Sequence, residues 1–258
     1  MAVAGSPVHL ERAGPTARIT LDSPSNANAL SAPVLSGLLG AAEACRLDDG
    51  VRVVVLGAAG RTFCSGADMA ERLDPPPGPA VTIGEVLSAL AGLPQVLVAR
   101  VQGHVRGGGM GLVAVADMAV SSAAVSFAFS EARLGVAPAV VAVPVLRRMS
   151  RRAFERYALT GDVFGAPEAA AAGLVNEVVP GDAELDGWVD GITESVLACS
   201  PLALRATKGL PAIAAAPWDD AIASATELSD ALFSSDDGRE GMTAFFEKRR
   251  PRWAVRAG

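Results

Sequence analysis

Apolar positions along the chain fall into two periods, two and about 3.6, and the switches between them mark the elements. Val8–Arg12 and Ala17–Leu21, separated by Ala13-Gly14-Pro15-Thr16, read as a hairpin. A polar loop, Asp22–Asn28, follows. Ser31 has the character of an N-cap, with Pro33 in the first turn of a helix to about Leu47, ended by Asp48-Asp49-Gly50. Val51–Leu56 is β-branched and reads as a buried strand; Gly57–Gly66 is a loop; Asp74–Pro79 is proline-rich and irregular. Val81–Leu90 is helical, and Val96–Val101 is the next buried strand. Beyond the glycines Gly107–Gly109 an alanine-rich run predicts a buried helix. Met118–Ser121 and Val125–Phe127 read as strands, Ala142–Met149, Arg151–Leu159 and Ala166–Ala172 as helices, and Leu174–Val179 as a strand. From Asp182 onward the pattern is helical, with breaks expected at Ser200-Pro201, Pro211, Pro217 and Gly238.

Strands and helices therefore alternate to about residue 180, and helices alone follow. This predicts an α/β core over residues 1–180 and a helical C-terminal region over 181–258. Helices that cannot bury both faces alone suit a subunit contact, so a homo-oligomer is expected.

Composition narrows the function. The 258 residues suffice for one large domain, or a domain with an appendage. A formal charge of −6 leaves no electrostatic footprint for nucleic acid. The basic clusters Arg147–Arg152 and Lys248–Arg252 read as solvated helix ends. Cys45, Cys64 and Cys199 form no CxxC pair and no Cys/His cluster, so neither a disulfide framework nor a metal site is implied. A reducing, cytoplasmic compartment fits. The segment MAVAGSPVHLERAG lacks the features of a signal peptide, and no apolar stretch is long enough to cross a bilayer. GxxxxGK[ST], GxSxG and HExxH are absent.

The chemistry centres on Val101–Asp117, VQGHVRGGGMGLVAVAD. A strand, a turn of bare backbone and a helix start would present unpaired N–H groups and a positive dipole end. That suits a phosphate or the oxyanion of a reacting acyl group. The glycines equally suit a helix packed tightly on a sheet. A second turn, Arg61–Glu71 (RTFCSGADMAE), follows the preceding strand in the same way. Two N–H groups from two such turns could converge on one oxygen.

RTFCSGADMAE, VQGHVRGGGMGL and FSEARLG, in this order and spacing, resemble the crotonase (enoyl-CoA hydratase/isomerase) superfamily. Asn28-Ala29-Leu30, LTGDVFGAPEAAAAGLVNEVV and SSDDGREGMTAFFEKRRPRW extend the resemblance over nearly the whole chain. It implies a spiral of ββα units with a helical C-terminal extension, assembled as a homotrimer or homohexamer. It implies acyl-CoA thioesters as substrates, with coenzyme A as part of the substrate and no permanently bound cofactor. The N–H groups of Ala67 and Gly108 would form the oxyanion hole, and Glu131 would be the acid/base. Ala29, Ala67, Asp68, Met69, Gly108 and Lys248 match CoA-binding positions.

This sequence departs from the pattern at three places. Gly111 stands where many hydratases of the family carry a second glutamate. Pro138 is followed by Ala139, Val140 and Val141 instead of a glycine-rich turn, which implies a smaller or more apolar acyl pocket. Ser25 replaces a basic residue expected near the CoA phosphates. Glu71, Asp74 and Glu85 are spare acids for the missing carboxylate, and nothing selects among them. Arg106 could face the CoA or solvent. Phe245 reads as helix core, with packing near the adenine of CoA as the alternative, His104 as structural, His9 as incidental and Cys64 as a packed small residue. Asp68 suits a helix cap, and Asp117 a loop fastener. Three functions follow: hydration of a 2-enoyl-CoA, single-base isomerisation of an enoyl-CoA, or silent acyl-CoA binding.

Overall fold

The computed structural model describes residues 6–78 and 80–254. Met1–Gly5, on which part of the leader reading rests, and Pro79, which ends the proline-rich stretch, lie outside the described residues. The chain divides after Asp190 into two units.

In the first unit, β1 (Val8–Ala13) and β2 (Thr16–Leu21) form the expected hairpin. α1 (Ala32–Arg46) leads to β3 (Val53–Ala58), the short β4 (Thr62–Cys64), α2 (Met69–Leu73) and α3 (Ile83–Ala91). β5 (Val96–Val101), β6 (His104–Arg106) and α4 (Gly108–Val115) follow, then β7 (Met118–Ser122), β8 (Ser126–Ala128) and a 3-10 turn, Glu131–Leu134. α5 (Ala139–Val145), α6 (Arg151–Thr160), β9 (Phe164–Gly165), α7 (Ala166–Ala171), β10 (Glu177–Val179) and α8 (Asp182–Leu197) complete the order up to and across the division.

Two sheets result: a six-stranded one ordered β1-β2-β3-β5-β7-β10 and a four-stranded one ordered β4-β6-β8-β9. β3, β5 and β7 pair in parallel in the first, and β4, β6 and β8 pair in parallel in the second. Each long strand is thus followed by a short strand in the other sheet and then by a helix or 3-10 turn, three times over. Val53–Leu56 and Val96–Ala99 are buried on both faces, as strands under helices must be. This is the expected ββα architecture. β4, β6 and β9 were absent from the sequence reading, because runs of two or three residues carry no period.

The second unit holds the end of α8, α9 (Pro201–Ala214), α10 (Trp218–Ser234) and α11 (Asp236–Phe246). Pro211 and Gly238 do not break helices as expected. Pro211 lies in the last turn of α9, where it removes a single bond. Gly238 lies in the first turn of α11, and its N–H bonds Ser235 Oγ at 2.9 Å. Among the described residues no helix is long and apolar enough to cross a membrane.

Candidate active site

The ends of β4, β6 and β8 lie side by side, and each releases one residue singled out by the sequence. Ala67 follows β4, Gly108 follows β6, and Glu131 follows β8. Parallel strands stand about 5 Å apart, so the three arrive on one edge of one sheet.

The first turn is stitched to residues 26–32. Leu30 N–H donates to Gly66 O at 2.8 Å, and Ser65 N–H to Ala27 O at 3.2 Å. Leu30 and Ala67 form an isolated parallel bridge. In that register the peptides flanking Ala67 pair with Leu30, and the Ala67 N–H points away from it. Asn28 anchors the other side. It is buried at φ 56°, and its Nδ2 donates to Thr62 O at 2.7 Å and Ala59 O at 3.1 Å. Its Oδ1 accepts from Ser23 N–H at 2.7 Å.

The second turn requires glycine. Gly107 has φ 47°, and a Cβ added there would lie 3.2 Å from Glu131 Oε1 and 3.7 Å from Gly66 Cα. A Cβ on Gly108 would come 2.5 Å from Leu30 Cδ1 and 3.9 Å from the Gly66 carbonyl carbon. The two turns therefore meet main chain to main chain, with the Glu131 carboxylate against the meeting point. Gly108 opens α4, so its N–H has no acceptor within the helix.

Glu131 is half-buried, and its Oε2 is buried without a hydrogen-bond partner. Burial pushes its carboxyl above the usual carboxylate range, partly offset by the Glu131 and Ser130 backbone N–H groups. An acid raised in this way and set beside polarising N–H groups can take and return a proton. The raised proton affinity also makes the ionised form destabilising. That penalty is absent below the ordinary carboxylate range, grows as pH rises through the elevated folded value, and is complete above it. Glu131→Gln is accordingly expected to raise the melting temperature at neutral pH, with the gain vanishing near pH 4. An equal gain at both pH values would contradict this account.

The geometry finds counterparts among known proteins. The model of the enoyl-CoA hydratase/isomerase family matches residues 11–256. An enoyl-CoA hydratase of Mycobacterium tuberculosis is 30% identical, covering 96% of both chains. A solved structure from Pseudomonas aeruginosa, AtuE, superposes with a TM-score of 0.89 at 32% identity, over 96% of this chain and all of that one. An enoyl-CoA hydratase/isomerase from Marinobacter aquaeolei gives 0.89 at 30%, over 96% and 99%. The chain belongs to the enoyl-CoA hydratase/isomerase family. It is thus an acyl-CoA-processing enzyme of the hydratase type, built on the crotonase fold.

Against that family, the most informative position is Gly111. It lies in α4 three residues after Gly108, hence on the same side of the helix. A Cβ there would meet Leu87 Cδ1 at 3.1 Å and Val141 Cγ2 at 3.6 Å. The space is filled with hydrocarbon from α3 and α5, and none of the three spare acids stands there. Glu71 Oε2 accepts from Ala32 N–H at 2.7 Å, and Glu85 closes a capping box with Thr82. Asp74 is exposed beyond the end of α2.

The other candidates sort out plainly. Asp68 caps α2, accepting from Ala70 and Glu71 N–H at 3.1 and 3.3 Å, and takes a bond from Asn26 Nδ2 at 3.2 Å. Ala29 is buried beside Leu30, and Met69 is half exposed. Lys248 is exposed in the second unit at φ 55°. Arg106 turns inward, away from open solvent. Its guanidinium bonds Val105 O at 2.9 Å, Ser126 O at 2.7 Å and Ser126 Oγ at 2.8 Å, because a half-buried cation needs acceptors. His104 Nδ1 lies 3.0 Å from the same Oγ and accepts from Ser126 N–H at 3.3 Å. Cys64 is fully buried, and burial pushes its thiol up to about 12, in keeping with a packed small residue. Asp117 Oδ2 accepts from Leu97 N–H at 2.8 Å, and His9 pairs with Asp22 at 3.3 Å.

Two expectations need correction. Phe245 is not helix core: it is 79% exposed, in edge contact with an equally exposed Phe246. Four-residue spacing decides which side chains align on α11, not whether anything within the chain covers them. Nor is the whole 147–152 cluster solvated. Arg148 Nη2 bonds Ala116 O at 2.8 Å and its Nε bonds Ala114 O at 3.2 Å, capping the C-terminal end of α4. The sequence reading also missed Leu87 and Val141 as the filling at Gly111. A glycine flanked by buried positions says only that space exists, not what fills it.

Proposed function

We propose that this enzyme adds water to a 2-enoyl-CoA, using Glu131 as its single acid/base. The observation that carries this is the Glu131 carboxylate lying against Gly107, where the Ala67 and Gly108 turns meet. The thioester carbonyl accepts from the N–H groups of Ala67 and Gly108. Glu131 takes a proton from water as the water oxygen bonds C3, and the electron pair moves through C2 to the thioester oxygen. The enolate then collapses as Glu131 returns the proton to C2. Atoms balance as one water added, and the carboxylate is regenerated. Coenzyme A enters and leaves with the substrate, and no other cofactor takes part. Ala29, Asp68 and Met69 are the remaining residues of the first unit assigned to CoA binding, and Lys248 is assigned to the CoA of a neighbouring subunit. Asp68 takes part through its main chain, since its carboxylate is committed to the cap.

Self-association as a trimer or hexamer belongs to this reading. It is supported by Trp218, Phe233, Phe245 and Phe246 of the second unit, which are 64–80% exposed. A second reading, a double-bond shift, is favoured by the hydrocarbon at Gly111, since moving one proton between two carbons needs only one carboxylate.

A panel of 2-enoyl-CoA thioesters in heavy water separates the readings. Hydration is expected to abolish the conjugated-enoyl absorbance and leave one deuteron at C2. If each thioester binds and none is hydrated, hydration is wrong. Glu131-dependent exchange with 3-enoyl-CoA, without addition, would then establish the isomerase.

A further inference from the structure

Glu71 was a spare acid in the sequence, and the structure gives its carboxylate a different place. Its Oε2 accepts from Ala32 N–H at 2.7 Å, across 39 positions of chain. Ala32 is the first residue of α1, and Ser31, at the N-cap position, makes no side-chain cap bond. Pro33 has no N–H. Thus α1 is capped from outside, by an acid on α2, which begins two residues after Ala67, and its positive end favours that charge. The bond closes a loop of contacts around the Ala67 peptide. On one side, Ser65 and Gly66 bond to residues 26–30, with Ser65 Oγ on Asn26 O at 3.2 Å. On the other, Asp68 holds Asn26 and Glu71 holds Ala32.

We propose that Glu71 is a positioning residue: by capping α1 it fixes the direction of the Ala67 N–H toward the thioester oxygen. This rests on the reading of Ala67 as an oxyanion donor. The bond acts at the N-terminal end of α1, and the bridge from Leu30 to Ala67 lies just before that end. A shift of α1 relative to α2 is therefore transmitted to the donor peptide.

The test compares Glu71→Ala, Glu71→Gln and Ala32→Pro. Glutamine keeps an oxygen acceptor. Proline removes the donor instead, at a helix position that tolerates it, after a Ser31 whose ψ of 164° already suits a following proline. Two quantities are read: kcat against KM, and the red shift of a chromophoric 2-enoyl-CoA whose absorption reports carbonyl polarisation. Removing a whole oxyanion donor costs about 10²–10³ in kcat, and misdirecting one is expected to cost about tenfold. Glu71→Ala and Ala32→Pro should both lower kcat by that amount with KM little changed, and both should shrink the red shift. Glu71→Gln should restore both. Wild-type kcat and red shift in Ala32→Pro, or failure of glutamine to restore them, would overturn the proposal. Should Glu71→Ala fail to fold by circular dichroism, the other two variants decide. The red shift needs binding alone, so it reports on Glu71 even if no substrate is hydrated.

Discussion

Glu131→Gln is expected to lower kcat by about 10²–10⁴-fold, the usual contribution of a positioned acid/base. In energy this is roughly 3–5 kcal/mol of lost transition-state stabilisation. The substitution is close to isosteric, and an amide oxygen can still accept from the Glu131 and Ser130 N–H groups that the carboxylate now faces. Oε2 has no partner to lose. Binding of an unreactive acyl-CoA should therefore be unchanged, since the proposed donors to its carbonyl are main-chain groups. The loss should fall on kcat and not on KM. Turnover at the wild-type rate would remove Glu131 from the mechanism and force a search for another acid, which the geometry at Gly111 does not offer.

Gly111→Glu should not supply a second catalytic acid; it should destabilise the chain by about 3 kcal/mol or more. The added Cβ would press on Leu87 Cδ1 at 3.1 Å, and the carboxylate beyond it would lie between Leu87 and Val141, both at least 94% buried. An unpaired buried charge costs several kcal/mol. Such a group would have its proton affinity raised on folding. The penalty would be complete at neutral pH and would shrink toward the ordinary carboxylate range near 4.3, where both states are protonated. Steric pressure from Leu87 would remain there. Denaturant midpoints at neutral and acid pH, with and without Leu87→Ala, separate the two parts. A stable, more active Gly111→Glu enzyme would mean the wall beside Gly111 is wet and open.

The sequence made visible whatever was encoded locally. Val96–Val101 followed by bare backbone announced a strand, a turn and a helix, and the structure has all three at those positions. Separated motifs then identified the family whose model matches residues 11–256. What stayed hidden was non-local. The partner of Glu71 lies 39 residues away, and the residues filling the space at Gly111 come from two other helices. Arg106 and Arg148 looked like free cations because their acceptors are carbonyls, which every residue has and no pattern displays. β4 and β6 were lost for another reason: three residues are too few to display a period.

The meeting of Gly66 with Gly107 and Gly108 bears on how this enzyme could be redesigned. A main-chain junction offers little graded adjustment, because Gly107 is held at φ 47° with a Cβ only 3.2 Å from Glu131 Oε1, and a Cβ at Gly108 would displace Leu30 Cδ1. New acyl specificities must therefore be sought in the surrounding walls. A combinatorial library would leave 64–67 and 107–109 untouched and vary Leu87 and Val141 together with Gly84 and Val140, since a Cβ added at Gly84 would reach Val140 Cγ1 at 3.8 Å.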